Sequence, residues 1–358
     1  MYIHNTRAKP IRRKDPRSEK GSLRAVCQGF DLACFGGERE ESWWEVARKL
    51  QAMFVRPLVS PSWLQRSLRA GVPPIVVLDG TWHMPFLKRN ALAEFEAKRI
   101  KGARFFDIDL VADRSTTLPH MLPSPEVFAE HVGAMGISND TYVVIYDAAQ
   151  SIGAAARVLW TFRVFGHQGG VSVLEGGLCA WQREGFEVVG GKLGSVEDEE
   201  FPIEPKKYIP RLNGHLVKSF DEIISNLNSP SELVVDARPS SRFLGIDPEP
   251  RPGLSSGHMP GSVSLPHAKL LDVENHGVML RGKALADAFE NAGVKISERA
   301  VHSCGSGVNA SITWLGTILA RSEMKPGAWE ELEDGLSVYD GSWTEYAGRI
   351  VDGAKIEK

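Results

Sequence analysis

From Leu58 onward the apolar and polar positions alternate between two periods. Trp63 to Ala70 carries its apolar residues at helical spacing, Ile75 to Leu78 is a short apolar run, and Tyr142 to Tyr146 is another. Brief apolar runs separated by helical segments predict buried parallel strands covered by helices, which places the chain in the α/β class with mainly parallel sheets flanked by helices. Upstream, Ser42-Trp43-Trp44-Glu45 has the form of a capping box, and Val46, Leu50 and Phe54 follow at helical spacing. One short helix is expected there, its paired tryptophans packing on the first domain.

The pattern occurs twice. Val76-Val77-Leu78-Asp79 reappears as Leu233-Val234-Val235-Asp236, Gly102-Ala103-Arg104-Phe105 as Gly261-Ser262-Val263-Ser264, and Leu174-Glu175-Gly176-Gly177 as Tyr339-Asp340-Gly341-Ser342. Asp147 follows Asp79 by 68 residues, and Cys304 follows Asp236 by 68. Internal repetition at this length predicts two like domains. Between them, Gly190 to Pro210 holds Val196-Glu197-Asp198-Glu199-Glu200 and then three prolines, a composition suited to an extended surface connector. The second half also carries an insertion around Lys325 to Leu332.

Composition narrows the class of partner. A chain of 358 residues with 42% apolar content can bury two ordinary cores. A net charge of −3 and a pI near 6.4 give no reason to expect nucleic acid. No apolar run reaches membrane-spanning length, since even Ala154 to Phe165 is broken by Arg157 and Arg163. Residues 1–56 begin with a basic segment (Arg7, Arg12, Arg13, Arg17, Arg24) interrupted by Asp15 and Glu19, compatible with a targeting segment or a flexible tail. The four cysteines, Cys27, Cys34, Cys179 and Cys304, lack the short pair spacing of a zinc or dithiol site and fit a reducing compartment.

The candidate chemistry lies at Ala300 to Ala310. An apolar run ends at Cys304, Gly305 and Gly307 allow a tight curl, and Ser311 to Ala320 reads as a helix. A sulfur at the entry of a helix, ringed by backbone N–H groups, is favoured as the thiolate. Taken alone, such a cysteine is as readily a small buried hydrophobe. However, Cys304-Gly305-Ser306-Gly307-Val308-Asn309-Ala310 resembles the active-site loop of the 3-mercaptopyruvate sulfurtransferases of the rhodanese family, with Asn309 where threonine is common.

The resemblance to tandem rhodanese domains extends over about residues 57–350. It implies a first domain at 57–190, silent because Asp147 stands in place of the cysteine, a linker at 191–210, and a catalytic domain at 211–350. It further implies that Cys304 is the nucleophile, that Gly305, Ser306, Gly307, Val308 and Asn309 stabilise a persulfide, and that Arg242 and Arg251 grip the donor's carboxylate and keto oxygens. Asp109, His120 and Ser306 would form a proton relay across the domain boundary. The first domain has Arg99-Ile100-Lys101-Gly102 where the second keeps Gly257-His258-Met259-Pro260-Gly261. The implied reaction moves sulfur from 3-mercaptopyruvate to a thiol such as thioredoxin or glutathione, or to cyanide, and releases pyruvate. No metal or organic cofactor is expected, because the enzyme itself carries the sulfur; the compartment would be mitochondrial or cytoplasmic.

Three alternatives remain at this level. A thiosulfate sulfurtransferase would be expected to carry basic side chains just after the cysteine, where this chain has Gly305, Ser306 and Gly307. A cysteine phosphatase would need an arginine near Val308 to Ala310 for phosphoryl charge. A non-catalytic rhodanese-like module needs none of the chemical groups, all of which are present.

Overall fold

The structure, a computed structural model, describes residues 56–358 apart from 72–73, 150–151, 193–202, 273, 276 and 351–352. The helix expected after Ser42, the basic segment before it and the acidic part of the connector lie outside the described residues.

The first half contains β1 (Leu58–Val59), α1 (Pro61–Ala70), β2 (Ile75–Asp79), α2 (Ala91–Ala97), β3 (Arg99–Ile100), β4 (Arg104–Phe105), α3 (Pro125–Ala134), β5 (Tyr142–Tyr146), α4 (Gly153–Val164), β6 (Val171–Leu174), α5 (Gly177–Arg183) and β7 (Val188–Val189). The second half runs β8 (Val217–Lys218), α6 (Phe220–Asn228), β9 (Leu233–Asp236), α7 (Ser240–Phe243), β10 (Val263–Ser264), β11 (Leu271–Asp272), β12 (Val278–Met279), α8 (Gly282–Asn291), β13 (Ala300–Ser303), α9 (Ala310–Met324), α10 (Trp329–Glu333), β14 (Leu336–Tyr339) and α11 (Ser342–Gly348).

The two main sheets have the same order. It is β1-β6-β5-β2-β4 in the first half and β8-β14-β13-β9-β10 in the second, and every neighbouring pair is parallel. All five residues of β5 and all four of β13 are buried, the pattern of strands covered on both faces. Helix starts follow local chemistry. Ser60 and Ser124 accept from the third residue on and are each followed by proline, and Ser219 with Glu222 closes a capping box.

Helices α4 and α9 are equivalent in the two halves and pack on each other. Every residue of α4, and Ala310 to Ala320 of α9, is buried, so these helices lie between sheets rather than on a surface. Each follows the strand that ends at Asp147 or Cys304. The packing therefore brings the two equivalent strand ends to one cleft.

The connector and the insertion both have defined places. Over 203–210 the chain has no regular secondary structure and is stitched to the first half: Lys206 N–H donates to Gly133 O at 2.9 Å, Ile209 N–H to Asn139 Oδ1 at 2.8 Å, and Tyr208 is buried against Phe128. The insertion forms α10, which reaches the first half. Arg163 of α4 donates Nε to Glu333 Oε1 at 2.7 Å and lies 4.9 Å from the Trp329 ring centre, while Trp329 stacks on Trp314.

Candidate active site

Cys304 stands directly after β13, at the C-terminal edge of a parallel sheet, where α/β folds leave a crevice. Its peptide and the next are held from one side. Trp343 N–H donates to Cys304 O at 2.9 Å, Thr344 N–H to Gly305 O at 3.0 Å, and Cys304 N–H to Ser342 Oγ at 3.2 Å. In a trans peptide the N–H points opposite the preceding carbonyl, so the Gly305 and Ser306 amides face away from α11. The N–H groups of Gly305 to Asn309 have no protein acceptor among the described residues. These free donors at the entry to α9 form a cradle for an anion. The tight loop requires glycine at 307, where φ is +78° and a Cβ would come within 2.7 Å of Arg157 Nη1 and 3.0 Å of Asp340 O.

A cavity of about 380 Å³ opens onto this loop, lined from the second half by Cys304, Ser306, Arg242, Arg251 and His267 and from the first by Trp82 and Asp147 among others. Arg251 is half-buried, and its guanidinium has no hydrogen-bond or ion-pair partner among the described residues. Burial lowers its pKa, against a rise from nearby Cys304 and Glu249. A Cβ on Gly305 would sit 3.5 Å from Arg251 Nη1, which puts the cation beside the cysteine loop. Arg242 is held only loosely, 3.5 Å from Glu249 Oε2. Glu249 is engaged mainly by the buried Arg238, at 2.8 Å, which also pairs with Asp236 and lies 4.0 Å from the Trp343 ring centre.

The predicted relay residues come together only in part. His120 Nδ1 lies 2.8 Å from Asp109 Oδ1, and Trp82 Nε1 donates to Asp109 Oδ2 at 2.8 Å. The contact with His120 holds the Asp109 carboxyl below its ordinary pKa, with partial burial opposing. The Trp82 ring packs edge-on against the imidazole, with centres 4.6 Å apart. His120 adopts φ +62°, unusual for a residue with a side chain. Its Nε2 is buried with no partner, it lines a separate small cavity with Arg157 and Leu122, and no hydrogen bond joins it to Ser306. The Lys101 turn keeps its geometry: Ala103 N–H bonds Ile100 O with Gly102 at φ +74°, as Ser262 N–H bonds Met259 O with Gly261 at φ +70°.

Arg157 and Asp340 form a contact that sequence reasoning missed. Arg157 Nη2 donates to both His120 O and Asp340 Oδ1 at 2.5 Å, and Asp340 Oδ2 accepts from Leu122 N–H at 2.8 Å. An arginine in so apolar a helix signals that a buried partner exists, though not which residue it is. On the other wall, burial and the neighbouring Asp79 raise the Asp147 carboxyl well above the usual range.

Two like parallel sheets that share one cleft, with a cysteine loop at one strand end and a carboxyl at the other, define the rhodanese type of architecture. Residues 89–184 match the model of the rhodanese-like domain. Over 294 residues the chain is 39% identical to the human 3-mercaptopyruvate sulfurtransferase, covering 81% of this chain and 92% of that one. It is 38% identical over 299 residues to the thiosulfate sulfurtransferase of Rattus norvegicus, covering 82% and 93%. The solved structure of SseA from Escherichia coli, described as a 3-mercaptopyruvate sulfotransferase, matches with a TM-score of 0.66 at 29% identity, covering 81% of this chain and 99% of that one. The chain belongs to the family of 3-mercaptopyruvate and thiosulfate sulfurtransferases, enzymes that take sulfur from a small donor and pass it to an acceptor. No helix among the described residues is long and apolar enough to cross a membrane.

Proposed function

We propose that the protein takes the sulfur of 3-mercaptopyruvate onto Cys304 as a persulfide, releases pyruvate, and passes the sulfur to a thiol such as that of thioredoxin or glutathione, or to cyanide, in the mitochondrion or the cytoplasm. The observation that carries this reading is Arg251, a half-buried guanidinium with no protein partner beside the Cys304 loop. A cation in a cleft with no direct hydrogen-bond or ion-pair contact can receive a carboxylate, and the planar fork of arginine suits the carboxylate and keto oxygens of a 2-oxo acid. Arg242, loosely tied to Glu249, supplies the second grip.

The Cys304 thiolate attacks the donor sulfur, the carbon–sulfur bond breaks, and its electron pair leaves as the enolate of pyruvate. Protonation of that enolate completes the first half-reaction. The N–H groups of Gly305, Ser306, Gly307, Val308 and Asn309 hold the charged outer sulfur as an oxyanion hole holds oxygen. Asp109, 2.8 Å from His120 Nδ1, orients the imidazole, and contact between the Ser306 hydroxyl and the unpartnered His120 Nε2 in the donor complex would complete the relay that manages the donor's proton. The domains are read as 57–190 and 211–350, the first lacking a nucleophile because Asp147 cannot carry sulfur.

Thiosulfate is the second reading, because relatives of this chain carry that name as well. Positions 305–309 supply no side-chain cation for a dianion, so the specificity constant should favour 3-mercaptopyruvate by about tenfold or more. Pyruvate release from 3-mercaptopyruvate, measured beside thiocyanate formation from thiosulfate and cyanide, decides between them. Cys304→Ser should gain no sulfur in intact mass after donor treatment; a gain of one sulfur atom would remove Cys304 from the reaction.

A further inference from the structure

The return half of this chemistry needs a base that the relay does not supply. A thiol is a weak nucleophile until it loses its proton, and an acceptor thiol must lose it inside the cleft. His120 does not line the main cavity; it faces the small cavity beneath with Phe106, Leu122 and Arg157. His267 does line it, together with Cys304 and Arg242.

The position of this imidazole is fixed by the sheet. Leu265 N–H donates to Asp236 O at 2.9 Å, continuing the β9–β10 pairing, and the next bond out is His267 N–H to Ala237 O at 3.1 Å. Its Nδ1 lies 3.1 Å from the same carbonyl. A carbonyl only accepts, so Nδ1 carries the hydrogen and Nε2 presents its lone pair. Nε2 has no partner among the described residues and is not sealed from the cavity. Burial lowers the pKa of His267, with the hydrogen bond to Ala237 O opposing and Arg242 adding a smaller lowering, which favours the neutral ring.

We infer that His267 is a further catalytic residue of the reaction proposed above, the base that deprotonates the acceptor thiol during discharge of the Cys304 persulfide. The incoming thiol sulfur bonds to the outer sulfur of Cys304–S–S⁻, and the persulfide S–S bond breaks. Its electron pair returns to Cys304 as thiolate. His267 Nε2 takes the thiol proton and delivers it to the transferred sulfur, so that the products are RSSH and the Cys304 thiolate. Nothing external is oxidised or reduced.

The test separates this step from the reading on which it rests. Full-length wild type, His267→Gln and His267→Asn are loaded with 3-mercaptopyruvate, and the persulfide is confirmed by intact mass. If wild type gains no sulfur, the donor reading fails there; the enzyme is then loaded with inorganic polysulfide and the His267 comparison proceeds. Single-turnover discharge is followed with 2-mercaptoethanol, which is protonated at neutral pH, and with an aryl thiol that is already ionised. Gln keeps polar atoms near Nε2 without basicity, and Asn keeps a donor for Ala237 O. Both variants should discharge to 2-mercaptoethanol about tenfold to a hundredfold more slowly. With the aryl thiol the change should stay within about twofold, since no proton is left to remove. Equal losses with both thiols would reduce His267 to a structural residue, and an unchanged rate with 2-mercaptoethanol would remove it from the reaction.

Discussion

Arg157 of the first half and Asp340 of the second meet at 2.5 Å with only 3% and 6% of their side chains exposed. The pair joins three parts of the site at once. Arg157 holds His120 O, Asp340 holds Leu122 N–H, and a Cβ at Gly307 would strike Arg157. Removing one partner leaves a buried uncompensated charge, which costs about 3–5 kcal/mol. Arg157→Met and Asp340→Asn should each lower stability by about that much, and the double variant by clearly less than their sum. Urea denaturation of the four proteins gives the coupling directly, and simple additivity would mean that the two side chains do not depend on each other.

The two loop glycines should behave differently. At Gly307 alanine would have to hold φ +78° with its methyl 2.7 Å from Arg157 Nη1, whereas at Gly305 the nearest atom is Arg251 Nη1 at an ordinary 3.5 Å. Gly307→Ala is expected to cost about 1–3 kcal/mol from backbone strain, and more from the displaced guanidinium. Gly305→Ala should fold normally, with reduced donor affinity because its methyl narrows the approach to Arg251. Thermal melts with donor titrations on both variants check this, and similar melting temperatures would contradict it.

The repeat was readable because the strands leading to Asp79, Asp147 and Asp236 are short apolar runs, as strands covered on both faces usually are, and the equal spacing then places Cys304 after β13, whose buried His302 and Ser303 break the apolar pattern. The cysteine loop was readable because Gly305 and Gly307 meet a local backbone demand. Long-range partners were not. Nothing near Arg157 announces Asp340, and the insertion at Lys325 to Leu332 gave no hint that α10 would bring Trp329 and Glu333 onto Arg163. The carboxylate of Glu249 is likewise shared between Arg242 and, more closely, the buried Arg238, a division that residue spacing does not disclose. His267 escaped notice because its chemistry depends on which carbonyl holds Nδ1, and only the β9–β10 register decides that.

Arg251 offers the opposite case to Arg157. Since its guanidinium has no partner, its removal leaves no buried charge behind and should not lower stability. If it binds the donor carboxylate, Arg251→Ala should reduce kcat/KM for 3-mercaptopyruvate about a hundredfold through two lost charge-assisted bonds. Arg251→Lys should recover only part of this, because a point charge cannot form the planar fork. The informative combination is a large loss of kcat/KM with an unchanged melting temperature; a loss of stability of equal size would make Arg251 a structural residue.

Two fully buried histidines, one of them two residues before Cys304, should contribute to the acid sensitivity of the fold. Burial lowers the pKa of His167 from 6.5 to about 4 and that of His302 from 6.5 to about 3. His167 Nε2 is held at 2.8 Å from Thr141 O and His302 Nδ1 at 3.0 Å from Thr313 Oγ1, and the other nitrogen of each ring is buried without a partner. Below about pH 6.5 the unfolded chain binds protons at both positions while the folded chain does not, so these two groups make stability rise with pH across this window. The contribution is complete above pH 6.5 and is lost as the pH falls through the folded values, roughly 3–5 kcal/mol per group in all. Asp109 acts only at lower pH, but the raised Asp147, Asp79 and Glu333 carboxyls oppose the histidines in this window and His267 adds to them, so the contribution of one histidine is read as a difference between variants. The slope of stability against pH between about 6.5 and 4.5, followed by urea denaturation, contains the protons of both histidines. His302→Gln, which cannot protonate, should lose about one proton of that slope even if it is less stable at pH 7. An unchanged slope in this variant would place the acid sensitivity elsewhere in the chain.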